Sequence, residues 1–231
     1  MHTPEPRPDE GAPCAAVRLY ETARHEGAEA ALTALHRWAG PHALVHGPAG
    51  HALAPAALLA AATHAGPPGA LAPRRPGAEH ELTSPLLAAL GLAAVRVDTA
   101  PRPPSAAWDT AVLRVRLGLS RWLLDATLDH LDGRAFGDTP LLRQPVVKAA
   151  LAAAGVSLLE AESALTADRA PDRTGIRQLH GALTATDGSL LKLLGAWGLT
   201  TDGPGVTAYV SQVLADAYAP PATPYAREEA A

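Results

Sequence analysis

The stretch from 117 to 148, LGLSRWLLDATLDHLDGRAFGDTPLLRQPVVK, constrains the fold most. Apolar residues recur there at threes and fours, Gly133 and Gly137 interrupt the pattern, and a second apolar-periodic run follows. This reads as a helix, a tight break and a second helix. Val112, Val115, Leu119, Trp122 and Ala126 give the first helix, from Ala106 to Leu131, a single apolar stripe. Thr139-Pro140 offers a cap and a first-turn proline for the second. The stripe of that helix is Val147, Leu151, Ala154, Leu158, Ala161 and Leu165. A third helix starts near Asp172 and carries Ile176, Leu179, Leu183, Leu190 and Leu194. Gly188 weakens its middle, since glycine costs about 1 kcal/mol against alanine in a helix interior. Gly203-Pro204 opens a fourth, with Val206, Tyr209, Val213 and Ala217 facing inward. Four helices with one stripe each bury them most simply as an up-and-down bundle. The expected fold class is mainly α: a C-terminal four-helix bundle over 105–219 with a small helical and irregular N-terminal region.

That N-terminal region, 14–104, is less regular. Val17, Tyr20, Ala23, Ala30, Leu32, Leu35 and Trp38 mark two helices interrupted at Gly27 and ended by Gly40-Pro41. His42 to Leu53 reads as a short hairpin turning at Gly-Pro-Ala-Gly, and Pro55 to His64 as an Ala-rich helix. Pro67 to Glu79 is loop, Ser84-Pro85 starts a short helix, and 93–98 alternates as a strand does. TAPRPP at 99–104 is read as the linker between the two domains. Residues 1–13, with four prolines and mixed charge, and 220–231 are expected to be loose tails.

Composition excludes more than it selects. A formal charge of −4 offers no basic face for nucleic acid or an anionic membrane. One cysteine, Cys14, rules out an internal disulfide and any CxxC metal site, which fits a reducing compartment. The N-terminus lacks the apolar core of a signal peptide, and no apolar run is read as spanning a bilayer. A soluble cytoplasmic protein is the expectation. His42, His46 and His51 have a spacing compatible with a metal site, but no cysteine or carboxylate accompanies them, so they are read as loop histidines and no metal is expected. GxSxG, P-loop, HExxH and Rossmann patterns are missing.

Three landmarks give the 106–219 segment a resemblance to the C-terminal domain of the acyl-CoA dehydrogenase family. They are Arg-Leu-Gly-Leu-Ser-Arg at 116–121, Phe136-Gly137 with Gln144 eight residues after the phenylalanine, and Leu194-Gly-Ala-Trp-Gly-Leu199. The resemblance implies FAD as cofactor. An arginine before the Phe-Gly pair and the glutamine then reach the dinucleotide of a neighbouring subunit, and the glycine turn brings backbone close to it. Carried onto this sequence, the cofactor-binding candidates are Arg134, Phe136, Gln144, Lys192, Gly195 and Gly198. The implied partners are a second copy or another dehydrogenase-like chain, and the implied substrate is an acyl thioester.

Departures from the pattern bear on activity. The family abstracts an α-proton with a glutamate while the flavin accepts hydride, and a carboxylate within reach of that proton is indispensable. Counted from Gly198 that position is Ala219, and the alternative position, counted from Gly118, is Trp108. A substrate-binding arginine of the family falls at Asp109. No catalytic residue is therefore assigned. Arg134 stands one residue closer to Phe136 than the family's arginine, a rotation of about 100° on a helix. Lys192 replaces the family's glutamine and Ala196 its second glycine. The residues before the linker are too few for both the N-terminal helical domain and the middle β-domain that holds the flavin ring. Each candidate also has a plainer reading: Arg134 as a solvated arginine, Gln144 as part of its own helix start, Lys192 as a surface lysine. Asp125, Asp129, His130 and Asp132 gather at a helix C-terminus, where acidic groups are unfavourable. The expected function is an acyl-CoA dehydrogenase-like protein without its own base, a partner subunit or diverged member. The alternatives are a non-redox enzyme (dehydration or cyclisation) or a binding and scaffolding protein.

Overall fold

The computed structural model describes residues 12–98, 105–167 and 169–220, with side chains from Val17 onward. The linker read at 99–104 lies outside the described residues, as do 1–11 and 221–231. Helix α1 (Ala12–His25) already includes residues 12 and 13, and Gly27 separates it from α2 (Ala28–Ala39).

The next segment is built from short pieces: β1 (Ala43–Val45), β2 (His51–Pro55), α3 (Ala56–Ala61), β3 (His64–Gly66), β4 (Ala72–Pro73), β5 (Glu79–Leu82), α4 (Pro85–Ala89) and β6 (Leu92–Val97). The hairpin expected at 42–53 does not form. β1 pairs in parallel with β3, and β2 pairs antiparallel with β6, so the two strands enter different three-stranded sheets, β1-β3-β4 and β2-β6-β5. The Gly47–Gly50 turn does exist, with the Gly50 N–H donating to the Gly47 carbonyl at 3.0 Å. Burial separates its arms: Leu44 joins a small cluster with Ala52, Ala54, Ala62 and Val95, while Val45 and Leu53 enter the main core. The Ala-rich helix is only six residues long before β3 begins. Ser84 caps α4 as its sequence suggests, accepting from the Leu87 N–H.

Helix α5 (Ala106–Asp132) leads through β7 (Ala135–Phe136) and β8 (Thr139–Pro140) to α6 (Pro145–Thr166), α7 (Arg173–Leu194) and α8 (Gly205–Tyr218). The second long helix thus begins at Pro145 rather than at Thr139-Pro140. Pro140 is extended (φ −55°, ψ 139°) and pairs with Ala135, while Pro145 takes the first-turn place. Asp172 caps α7 by accepting from the Gly175 N–H at 2.8 Å. Gly188 does not interrupt α7.

Helix α5 is the axis of the molecule. Its Val112, Val115 and Leu119 join Leu32, Leu35, Leu53 and Tyr218 in one core, while Leu113, Leu117 and Leu124 join Leu158, Leu183 and Leu190 of α6 and α7 in another. Burial on two sides replaces the single stripe read from sequence, and Trp122 lies on the remaining solvent face, 36% exposed. α1 lies against α5 most closely at Gly118, where a Cβ would come within 2.4 Å of the Tyr20 carbonyl oxygen and 2.7 Å of the Ala23 Cβ. The Leu-Gly landmark is therefore a helix–helix contact. In α8, Ala217 is buried and Val213 packs against the core as expected, but Tyr209 is exposed, and Ala208, Val210, Ser211, Leu214 and Tyr218 are buried as well. Packing against both α5 and β2 widens its buried arc. Contrary to the sequence reading, α6 is long and apolar enough, by length and composition, to cross a membrane. Here its Ala154, Leu158, Ala161 and Leu165 pack inward, and Val146, Val156 and Leu159 are exposed.

Candidate functional site

The two ends of α5 hold the side chains of interest. At its C-terminal end the Leu141 N–H donates to the Arg134 carbonyl at 2.8 Å, fixing the short β7–β8 hairpin beside the helix end. The His130 ring stacks on Trp197, centroids 4.3 Å apart and planes 15° from parallel. Arg134 Nη1 donates to His130 Nε2 at 2.6 Å. Partial burial and the Arg134 cation hold the His130 pKa below its ordinary value, which keeps the ring neutral and able to accept that bond. Arg134 and the 194–199 turn, distant in sequence, are thereby brought together. His130 and Trp197 each stood in a stretch the sequence singled out, but not their stacking: a ring pair between two helix ends leaves no periodic signal.

The other candidates differ in surroundings. Phe136 projects at 78% exposure. Gly195 ends α7 with φ 59°, its N–H donating to the Leu191 carbonyl, and a Cβ there would meet nothing within 4 Å. Its face is open. Gly198 is buried instead, where a Cβ would lie 2.9 Å from the Leu194 Cβ, so this glycine serves the packing of the turn. Lys192 is exposed in the last turn of α7, a favourable place for a cation. Gln144 directly precedes α6 without a side-chain capping bond. Among the described residues neither the Lys192 nor the Gln144 side chain is hydrogen-bonded to the His130–Trp197–Arg134 group. An open aromatic face flanked by a guanidinium suits a flat ring joined to an anionic group.

The N-terminal end of α5 is closed. Trp108 is 2% exposed, with Tyr218 edge-on at 5.5 Å, His36 at 5.7 Å and Trp38 stacked at 6.4 Å. Tyr218 Oη accepts from the Leu53 N–H at 3.1 Å and donates toward the Val45 carbonyl at 3.2 Å. His36 Nδ1 accepts from the Val45 N–H at 3.2 Å, so Nε2 carries the proton donated to the Leu53 carbonyl at 2.9 Å. Burial lowers the His36 pKa to about 4. Trp108, one of the two positions at which the resemblance seeks a base, is thus sealed in the core, and the other, Ala219, directly follows Tyr218 at the end of α8. Asp109 is buried beside Trp108 in the chain. Loss of water pushes its pKa up to about 7, against the opposing pull of Arg173.

Between the ends, Arg116 is wholly buried. It donates to Ser211 Oγ at 3.1 Å, to His180 Nδ1 at 2.8 Å, to the His180 carbonyl at 3.0 Å and to Thr184 Oγ1 at 2.9 Å. Burial lowers its pKa to about 10 and that of His180 to about 3. Burial also raises the Asp187 pKa, against the opposing pull of the nearby Ser120 and Ser211 hydroxyls and of Arg116. Asp125 is held by Arg24 at 2.9 Å, Asp129 and Asp132 are exposed, and no cluster of three potential metal ligands occurs among the described residues.

No family model matches the sequence, and no curated protein matches it. Solved structures do. A glutaryl-CoA dehydrogenase from Mycobacterium smegmatis in complex with FADH2 superposes with a TM-score of 0.50 at 18% identity, over 68% of this chain and 50% of that one. A variant of a steroid ACAD gives 0.49 at 17% identity, over 77% and 58%. FkbI, of methoxymalonyl extender-unit biosynthesis for the polyketide FK520, gives 0.49 at 15% identity, over 87% and 73%. The chain spans about half the length of the glutaryl-CoA dehydrogenase it matches. Its mostly helical fold, with small sheets, is structurally similar to part of the acyl-CoA dehydrogenase fold.

Proposed function

We propose that this chain is a non-catalytic relative of the acyl-CoA dehydrogenases, a subunit that works beside a chain carrying the proton-abstracting carboxylate. The observation that carries this reading is that neither candidate base position holds a carboxylate: one is Trp108, sealed in the core, and the other is Ala219. A base must reach the substrate α-carbon, and a tryptophan 2% exposed offers neither the group nor the space. FAD fits the residues in part. The open face at Gly195 with Arg134, Phe136 and Lys192 suits the diphosphate and adenine end. The closed aromatic core does not suit the flavin ring. The exposed Val146, Val156 and Leu159 on α6 make a second copy or another dehydrogenase-like chain a fitting partner.

The test is purification with and without a dehydrogenase-like chain that retains the glutamate. Alone, the protein is expected to be colourless and inert toward acyl-CoA with an electron acceptor; the pair is expected to be yellow and active. Stoichiometric flavin and acyl-CoA oxidation by this chain alone would overturn the reading.

A further inference from the structure

The proposed function makes no use of the buried polar layer between α5, α7 and α8. Arg116 of α5 donates to His180 and Thr184 of α7 and to Ser211 of α8, so one guanidinium spans three helices. The Thr184 hydroxyl in turn donates to Gln212 of α8 at 2.9 Å. Asp187, on α7 and 4% exposed, lies near the Ser120 and Ser211 hydroxyls and shares with Asp216 the balancing of the Arg116 charge. Taking such charges out of water is costly, and well-packed apolar side chains of similar size often hold a core at least as firmly. Stability alone therefore does not account for the layer.

The pattern of α7 shows what the layer adds. Buried along its inner face are Ile176, His180, Leu183, Asp187, Leu190 and Leu194, spaced alternately by four and three. Were 180 and 187 apolar as well, this stripe would read alike after a slide of one turn along α5, about 5.4 Å. With the polar pair in place, a slide one way sets Leu183 against Arg116 and Leu190 among the serines. A slide the other way sets Ile176 against Arg116 and Leu183 among the serines. Either leaves a buried charge without its partners, which is strongly destabilising, so a single register survives.

The consequence reaches the open end of α5. Gly198 packs on Leu194 and the Gly195 N–H donates to the Leu191 carbonyl, so the 194–199 turn moves with α7. Trp197 in that turn stacks on His130 of α5 at 4.3 Å, less than the rise of one turn. We propose that Arg116, His180 and Asp187 are positioning residues, which fix α7 against α5 in the one register that brings Trp197 over His130 beside Arg134. The inference concerns the geometry of that end and holds whatever ligand it takes.

The test replaces the layer with apolar residues in the full-length protein, Arg116→Met/His180→Leu/Asp187→Leu, and reads the His130 imidazole by heteronuclear NMR. The His130 signal, assigned by its loss in His130→Gln, is expected upfield in the unsubstituted protein because the Trp197 ring covers it. In the triple variant, helical circular dichroism and the urea midpoint are expected to be retained or raised, while the His130 signal loses its upfield shift or splits into several. Leu183→Ala, which empties a neighbouring buried position, is expected to lower the midpoint and leave the His130 signal in place. One His130 signal at its original position in the folded triple variant overturns the proposal. So does a triple variant that fails to fold, since the layer would then hold the fold itself rather than its register. Loss of the upfield shift in Leu183→Ala overturns it too, because any loosening of the core would then move the ring pair.

Discussion

The two ends of α5 are built from similar side chains to opposite effect. Each pairs a histidine with a tryptophan: His36 with Trp108 at the start, His130 with Trp197 at the end. At the start both residues are sealed, and every hydrogen-bonding nitrogen of His36 is committed to backbone of β1 and β2. At the end the rings lie at the surface, with Arg134 bonded to His130 and an open glycine face at 195. One end of α5 is open and the other is core; under the proposed function the open end is where a dinucleotide would bind.

Substitution should expose that asymmetry most strongly in stability. Trp108→Ala removes a large, fully enclosed side chain and is expected to cost about 3–5 kcal/mol in urea denaturation. Trp197→Ala, at 41% exposure, is expected to cost less than about 1 kcal/mol. A reversed order would break the comparison.

Titration separates the ends next. Asp109 has a folded pKa near 7, above its unfolded value, so the native state holds the extra proton. Its contribution is therefore unfavourable above pH 7 and vanishes toward pH 4. Asp109→Asn should flatten this part of the stability profile and gain on the order of 2–4 kcal/mol at pH 8, measured by denaturation across pH. His36 and His180 act in the opposite direction. With folded values of about 4 and 3, below the unfolded value, stability is complete above pH 6.5 and falls as the pH drops toward them. His130, at the surface, should add little to that slope.

Tyr218→Phe sharpens the contrast further. It leaves the Leu53 N–H and the Val45 carbonyl without the phenol and is expected to cost about 1–3 kcal/mol, with Trp108 fluorescence altered. Smallest of all, Arg134→Ala should leave stability within about 0.5 kcal/mol while weakening ADP binding measured by calorimetry. Unchanged ADP binding would remove Arg134 from the open end.

The long helices were legible because their caps and periods are local: Asp172, the Gly203-Pro204 break and the 3.6-residue repeat each act within a turn or two. Arg116 shows where that reading stops. It lies on the same arc as Val112 and Leu119, so the period places it inside, yet its partners Ser211, His180 and Thr184 come from α7 and α8. Thr139-Pro140 misled because Pro145, five residues on, satisfies the same rule. The strands at 43–55 depended on partners at 64–66 and 92–97, which no turn signal specifies. At the candidate site, sequence picked out Arg134 and Gly195 but not the His130–Trp197 stack that joins them.

Whether the closed end of α5 can abstract a proton is settled most directly by isotope exchange. Butyryl-CoA incubated in D2O with the purified chain and added FAD should gain deuterium at its α-carbon no faster than in buffer, as read by mass spectrometry. Enzyme-dependent deuterium uptake, saturable in butyryl-CoA, would show a working base in this chain and contradict the account.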